Sequence, residues 1–171
     1  MKSVLISIQP KWCERIASGK KTIEVRKTAP KLKTPFKCYI YCTGNKDAQY
    51  LVRKDGIIQN LYCYDVVKNN LGVLNCKVIG EFVCDGIVQI FENFYDLQRS
   101  CLSWEEIQAY AKGKPLYGWH ISDLVIYDKP KELGEFKKGY SNETKGAWAA
   151  DYSQYPVWLT RPPQSWCYVE V

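Results

Sequence analysis

Three cations and a carboxylate fall close together in Gly19-Lys20-Lys21-Thr22-Ile23-Glu24-Val25-Arg26, and Lys11 adds a further cation just upstream. Lys21 and Arg26 are the side-chain types that bind phosphate or sugar oxygens, while Glu24 accepts from a base amino group or orients Arg26. The structural alternative is an ion pair of Glu24 with Arg26 or Lys21, an arrangement worth little where it is exposed. Strict strand alternation sends Lys21 to the face of Ile23, so Lys21 joins Glu24 and Arg26 only if it lies in the turn before the strand. On the ligand-binding reading, Arg26→Ala weakens binding more than it lowers stability.

Aromatic residues form a second constellation. With 6 Trp and 13 Tyr, the chain has ample material for base stacking. Tyr39, Tyr41, Tyr117, Trp119, Trp148, Trp158 and Trp166 fall in expected strands or loops, and Tyr41 and Trp119 are the preferred stacking residues; the alternative for each is a place in the core. His120, the single histidine, has no Cys or Ser partner at a catalytic spacing and reads as structural. Arg161-Pro162-Pro163-Gln164-Ser165-Trp166 joins a rigid turn to a cation, an amide and an indole, so Ser165 and its neighbours either line a cleft or anchor the tail. The 8 cysteines include no Cys-x-x-Cys pair. Cys38, Ile40 and Cys42 share one strand face, which makes the cysteines small buried hydrophobes rather than zinc ligands.

The elements that must position these groups follow from pattern. Val4 to Ile8 is a buried strand, Pro10 opens a helix that Gly19 closes, and Thr22 to Lys27 is a second strand. Trp12, Cys13, Ile16 and Ala17 are the helix positions expected to face the core. Cys38 to Thr43 is the third strand. The segment about 44–72 is a polar insertion with a turn at Asp55-Gly56, and Val73 to Ile90 is strand-forming with bends at Gly80 and Gly86. Asn93 to Cys101 is a short helix; Ser103-Trp104-Glu105-Glu106 is a capping box that starts another. Tyr117 to Tyr127 returns to strand, about 137–163 is a loop-rich C-terminal extension, and Ser165 to Val171 closes the chain as a strand. These elements describe a single α+β domain over 1–171, a small mixed β-barrel decorated with short helices.

Charge concentrates where the motif lies. Residues 1–54 carry 13 Lys or Arg against 3 acids, whereas residues 55–171 carry 11 against 15, so the whole net charge of +6 belongs to the first third. Such asymmetry is the footprint expected of a polyanion partner, or else a solvated basic surface. No apolar run reaches the ~18 to 20 residues of a membrane span, and no export signal is visible, which predicts a cytoplasmic protein.

The motif fits Gly-x-Lys-x-x-Glu-x-Arg, and it is flanked by Ser7-Ile8-Gln9-Pro10-Lys11, Tyr39-Ile40-Tyr41, Val78-Ile79-Gly80-Glu81-Phe82 and Ile121-Ser122-Asp123-Leu124. In this order they resemble the ASCH domain family, over residues 1–45 and 75–135. The resemblance implies a PUA-like fold and binding of RNA or a nucleotide-like ligand; together with the residues read above it puts Lys11, Lys21, Glu24, Arg26, Tyr41, Trp119 and Ser165 at the site, and no cofactor or metal is expected. Some family members hydrolyse acylated cytidines with a Lys, a Thr and a Glu. Lys21 matches that Lys, but Glu24 stands where the Thr belongs, Thr22 lies two residues earlier, and Glu105 and Glu106 fit a helix cap better than the family's Glu. If the chain is an enzyme, Lys21 and Glu24 are its catalytic candidates. A metal-dependent ribonuclease, the other enzymatic alternative, would draw oxygen ligands from Glu24, Glu81 and Asp123. A protein-interaction domain is the third class, with no positive feature in its favour.

Overall fold

The structure is a computed structural model, described here for residues 2–44, 48–139 and 157–170. Ser3–Ile8 (β1) carries alternating apolar side chains toward two different cores, Val4, Ile6 and Ile8 toward one and Leu5 toward the other, so all six of its residues are buried. A strand covered on both faces belongs at the middle of a sheet. β1 does so, parallel to Phe36–Cys42 (β3) on one side and antiparallel to Trp166–Glu170, the last strand (β11), on the other.

Between β1 and β3 run the helix Pro10–Ala17 (α1) and the strand Ile23–Arg26 (β2). Pro10 sits in the first turn of α1, where its missing N–H is harmless, and Gly19 leaves the helix at φ +74°. Cys13 and Ile16 enter the core as expected. Trp12 is half-buried, packed against the core with part of its ring at the surface.

The segment about 44–72 is more ordered than its weak period suggested. Gln49–Lys54 (β4) and Ile57–Tyr62 (β5) form a hairpin that turns at Asp55 and Gly56, both at positive φ, and Cys63–Lys68 (α2) follows. Leu51 and Val52 are fully buried, and Leu51 joins the main core. The half-exposed β5, with Gln59 and Asn60 at its centre, masks the alternation that marks a strand.

Val78–Cys84 (β6) pairs with β3, and the short Ile87–Gln89 (β7) follows it. Phe94–Ser100 (α3) is capped by the Asn93 side chain, and Trp104–Ala111 (α4) by the reciprocal Ser103–Glu106 capping box. Tyr117–His120 (β8) and Ser122–Lys131 (β9) divide at Ile121; Lys137–Lys138 (β10) adds to the edge of β11. The small, partly closed barrel expected from the bent strands is not seen as a closed one among the described residues. Among the described residues the strands make a six-stranded sheet in the order β10-β11-β1-β3-β6-β9, a three-stranded sheet β2-β8-β7 and the separate β4-β5 hairpin. The glycine bends still act locally. At Gly80 the β6–β9 register shifts, and a Cβ there would lie 2.4 Å from the Val125 carbonyl oxygen. Gly80→Ala must push β9 away, an overpacking that costs about 1–3 kcal/mol; an unchanged urea midpoint would show that the two strands yield freely.

The outer face of the large sheet holds a polar network. Glu81 accepts from Lys37 at 2.6 Å and from the Tyr127 hydroxyl. Burial pushes the Glu81 carboxyl up, but the Lys37 and Tyr127 donors outweigh it and hold it below its ordinary 4.5. The carboxylate is therefore favoured by folding, a contribution complete above the unfolded value and lost as pH falls through the lower folded one. Glu81→Gln removes that dependence. Below pH 4.5 the wild type is expected to lose stability more steeply than the variant, and superimposable acid-melting curves would contradict the linkage.

Candidate functional site

β2 owes its uniform burial to opposite neighbours on its two faces. Ile23 and Val25 pack with Ile90, Ile107 and Leu116 in a small core that includes α4, while Glu24 and Arg26 point the other way. Lys21 precedes the strand, in the turn where its amide donates to the Arg15 carbonyl at 2.9 Å. That turn position lets Lys21 escape the alternation and reach Glu24.

The three motif side chains meet. Arg26 Nη2 lies 2.8 Å from Glu24 Oε1, and Lys21 Nζ lies 3.4 Å from Glu24 Oε2. Lys21, Glu24 and Arg26 are 2%, 6% and 7% exposed, so this is a buried triad rather than a rim ion pair. Its other partners tie separate elements together. Lys21 donates to the Ser100 carbonyl at 2.7 Å, and Arg26 donates to the Ser7 carbonyl at 2.6 Å and, at 3.4 Å, to the Ser165 hydroxyl. Glu24 Oε2 and Arg26 Nε have no hydrogen-bond partner among the described residues.

Above the triad opens a cleft of about 630 Å³, within the size range of small-ligand sites. Lys21, Glu24 and Arg26 line it together with Ser7, Ile8 and Gln9 at the end of β1, Thr43 and Gly44 after β3, Trp12 of α1, Leu102, Glu106 and Tyr110 around α4, and Gln164. The ends of the parallel strands β1 and β3 therefore open on one crevice. The Arg161–Trp166 segment both lines the cleft and anchors the tail: Gln164 faces it, while Ser7 donates to the Pro163 carbonyl at 2.7 Å and the Trp166 indole N–H to Thr28 at 3.0 Å.

Other expected site residues lie elsewhere. Trp119 is 0% exposed, packed edge-on against Phe36 and Trp166, and Tyr41 is 5% exposed in the core on the opposite face of the large sheet. Neither presents an open ring to a base. Burial, with Cys76 adding to it, pushes the Tyr41 hydroxyl up to about 12. Lys11 is exposed, with its ammonium 4.4 Å from the Trp12 ring centre, and Ser165 supports Arg26 without lining the cleft. Thr22 accepts from Arg99 and does not line the cleft. His120 pairs at 2.5 Å with Asp85. Trp148 lies outside the described residues. Glu24, Glu81 and Asp123 do not converge: Glu81 is held by Lys37 and Tyr127, Asp123 is exposed, and no group of three or more metal-ligating side chains occurs among the described residues.

Trp12, Glu106 and Tyr110 are among the cleft residues that the sequence does not mark as site residues. Trp12 has the helical spacing of a core residue, and Glu106 fits a helix cap. Glu106 in fact serves both roles, bonding the Ser103 amide while facing the cleft. For Trp12 the neighbouring Lys11 was the available signal, because an aromatic beside a lysine at a helix start suits a surface better than a core.

A mixed α+β fold with a sheet-dominated core, and a cleft lined by residues of the Gly-x-Lys-x-x-Glu-x-Arg segment, defines the class. The ASCH domain family model matches residues 6–127, and the chain belongs to that family. Among solved structures the chain is similar to ASCH from Zymomonas mobilis at 18% identity and a TM-score of 0.57, covering 98% of this chain and 87% of that one. A tyrosine-to-phenylalanine variant of that Zymomonas mobilis protein aligns at 18% identity and a TM-score of 0.56, over 99% and 91% of the two chains. At that identity the likeness speaks to fold. No curated protein sequence gives a significant match, and no helix among the described residues is long and apolar enough to cross a membrane.

Proposed function

We propose that this chain is an RNA- or nucleotide-binding ASCH domain whose ligand enters the basic cleft above Lys21, Glu24 and Arg26. The observation that carries the reading is Glu24 Oε2, a buried carboxylate oxygen at the cleft that has the Lys21 ammonium at 3.4 Å as ion-pair partner but no hydrogen bond among the described residues. Buried polar atoms are rarely left without a hydrogen bond, and a base amino group or ring N–H supplies one. Trp12 and Tyr110 offer aromatic surface on two walls of the same cleft, in place of Tyr41 and Trp119. The excess of cations in the first third of the chain and the family resemblance support a polyanionic partner. The same reading takes the single domain as PUA-like, with its two sheets an open counterpart of the barrel. Binding of a short labelled single-stranded RNA, followed by fluorescence anisotropy, tests it: affinity is expected to fall log-linearly with added salt. No binding of RNA or of any ribonucleoside at low salt would sink it.

One observation favours a hydrolytic second reading. Glu106 and the Thr43 hydroxyl line the cleft with Lys21, which supplies a carboxylate, a hydroxyl and an amine of the types the acylcytidine hydrolases use. Release of acid from acylcytidine, retained in Thr22→Ala and lost in Thr43→Ala, is the result this reading expects; no release at all would remove it.

A further inference from the structure

The cations at the cleft fall into two sets with different free valence. Lys21 and Arg26, at the floor, are consumed by Glu24 and by the carbonyls of Ser100 and Ser7. Glu24 offsets one of their two charges and most of their N–H groups are engaged, Arg26 Nε excepted, but a phosphate reaching the floor would sit against the Glu24 carboxylate. Lys11 and Lys27 are the opposite case. Both are exposed, and neither forms an ion pair with a carboxylate among the described residues. Each is seated on a ring that does line the cleft: Lys11 Nζ lies 4.4 Å from the centre of Trp12, and Lys27 Nζ 4.7 Å from the centre of Tyr110. Trp12 belongs to α1 and Tyr110 to α4, so one ammonium stands at each of two separately built walls.

A lysine on an exposed surface ordinarily samples many rotamers, and ordering it opposes binding. Contact with a ring holds these two ammonium groups beside the cleft before any ligand arrives. From this division of labour we infer that the cleft takes a stretch of single-stranded RNA rather than a free nucleoside, with a base at the Glu24 floor and the flanking backbone phosphates on Lys11 and Lys27. The inference rests on the proposed nucleotide-binding reading and adds to it where the phosphates go. Lys27 thereby becomes a binding residue that the motif does not contain, and Lys21 and Arg26 become parts of the base-reading floor.

The test compares a short labelled single-stranded RNA with the free ribonucleosides on the full chain. The proteins are wild type, Lys11→Gln, Lys27→Gln, the double variant, and Lys129→Gln on β9 as a control. Both rim lysines are exposed, so their variants should fold. The expected result is a salt-dependence slope for RNA that is shallower by about 0.7 for each rim lysine removed, with weaker RNA binding, unchanged nucleoside binding and no effect of Lys129→Gln. Wild-type binding of RNA with the slope unaltered in the double variant overturns the inference, and so does binding of nucleosides but not RNA. If the wild type binds neither probe at low salt, the nucleotide-binding reading itself falls and takes the inference with it.

Discussion

Arg26→Ala is expected to lower the stability of this protein by about 3–5 kcal/mol, the cost of removing one partner of a buried ion pair. Arg26 is 7% exposed and holds Glu24 Oε1 at 2.8 Å and the Ser7 carbonyl at 2.6 Å. Its removal strands Glu24 with Lys21 alone and loosens β2 from the end of β1. This reverses the order of effects expected from the motif alone, which placed the guanidinium at an open rim and its loss mainly in ligand binding. Urea unfolding measures the difference, and Arg26→Lys, which restores a cation beside Glu24, should recover part of the loss. A loss below about 1 kcal/mol, the value of an exposed pair, would show that the triad is solvated and that the rim reading was right.

Trp119→Ala should be as damaging, at about 3–5 kcal/mol, and for an apolar reason. The indole is fully buried, 6.0 Å from Phe36 and 5.6 Å from Trp166 between ring centres, and Trp119 stands opposite Glu24 in the β2–β8 register. Emptying that volume removes packing beneath the same sheet face that carries the triad. Its Nε1 has no hydrogen-bond partner among the described residues, so Trp119→Phe gives up a polar liability along with some volume and should cost much less than the alanine variant. If Trp119 stacked on a base instead, the alanine variant would keep its melting temperature and lose RNA affinity.

Local features of the fold were legible in sequence because they depend on neighbours in the chain. Pro10, Gly19, Asn93, Ser103 with Glu106, and Asp55 with Gly56 mark their helix and turn boundaries by backbone preference and short-range hydrogen bonds, and each does so in the structure. The period of two in Cys38, Ile40 and Cys42 likewise assigned all three to one core. The four defined positions of the Gly-x-Lys-x-x-Glu-x-Arg segment sufficed to bring Lys21, Glu24 and Arg26 together, since they are joined by one turn and one short strand.

Long-range neighbours decided the rest. Whether Trp119 or Trp12 meets solvent depends on what covers each, and Trp119 is covered by Phe36 and Trp166, more than forty residues away on either side. The pairings of β1 with β11 and β3, and of β2 with β8, give separate open sheets among the described residues where local bends suggested a barrel. The charge of the first third was readable from composition, but not its division into spent and available cations. That division arises because the Ser100 and Ser7 carbonyls, 79 and 19 residues distant from the side chains they receive, reach the triad only in the folded chain. Sequence determined which groups stand at the motif; tertiary packing decided that Lys21 and Arg26 are buried and paired while Lys11 and Lys27 remain at the surface, because burial is a property of what arrives from elsewhere in the chain.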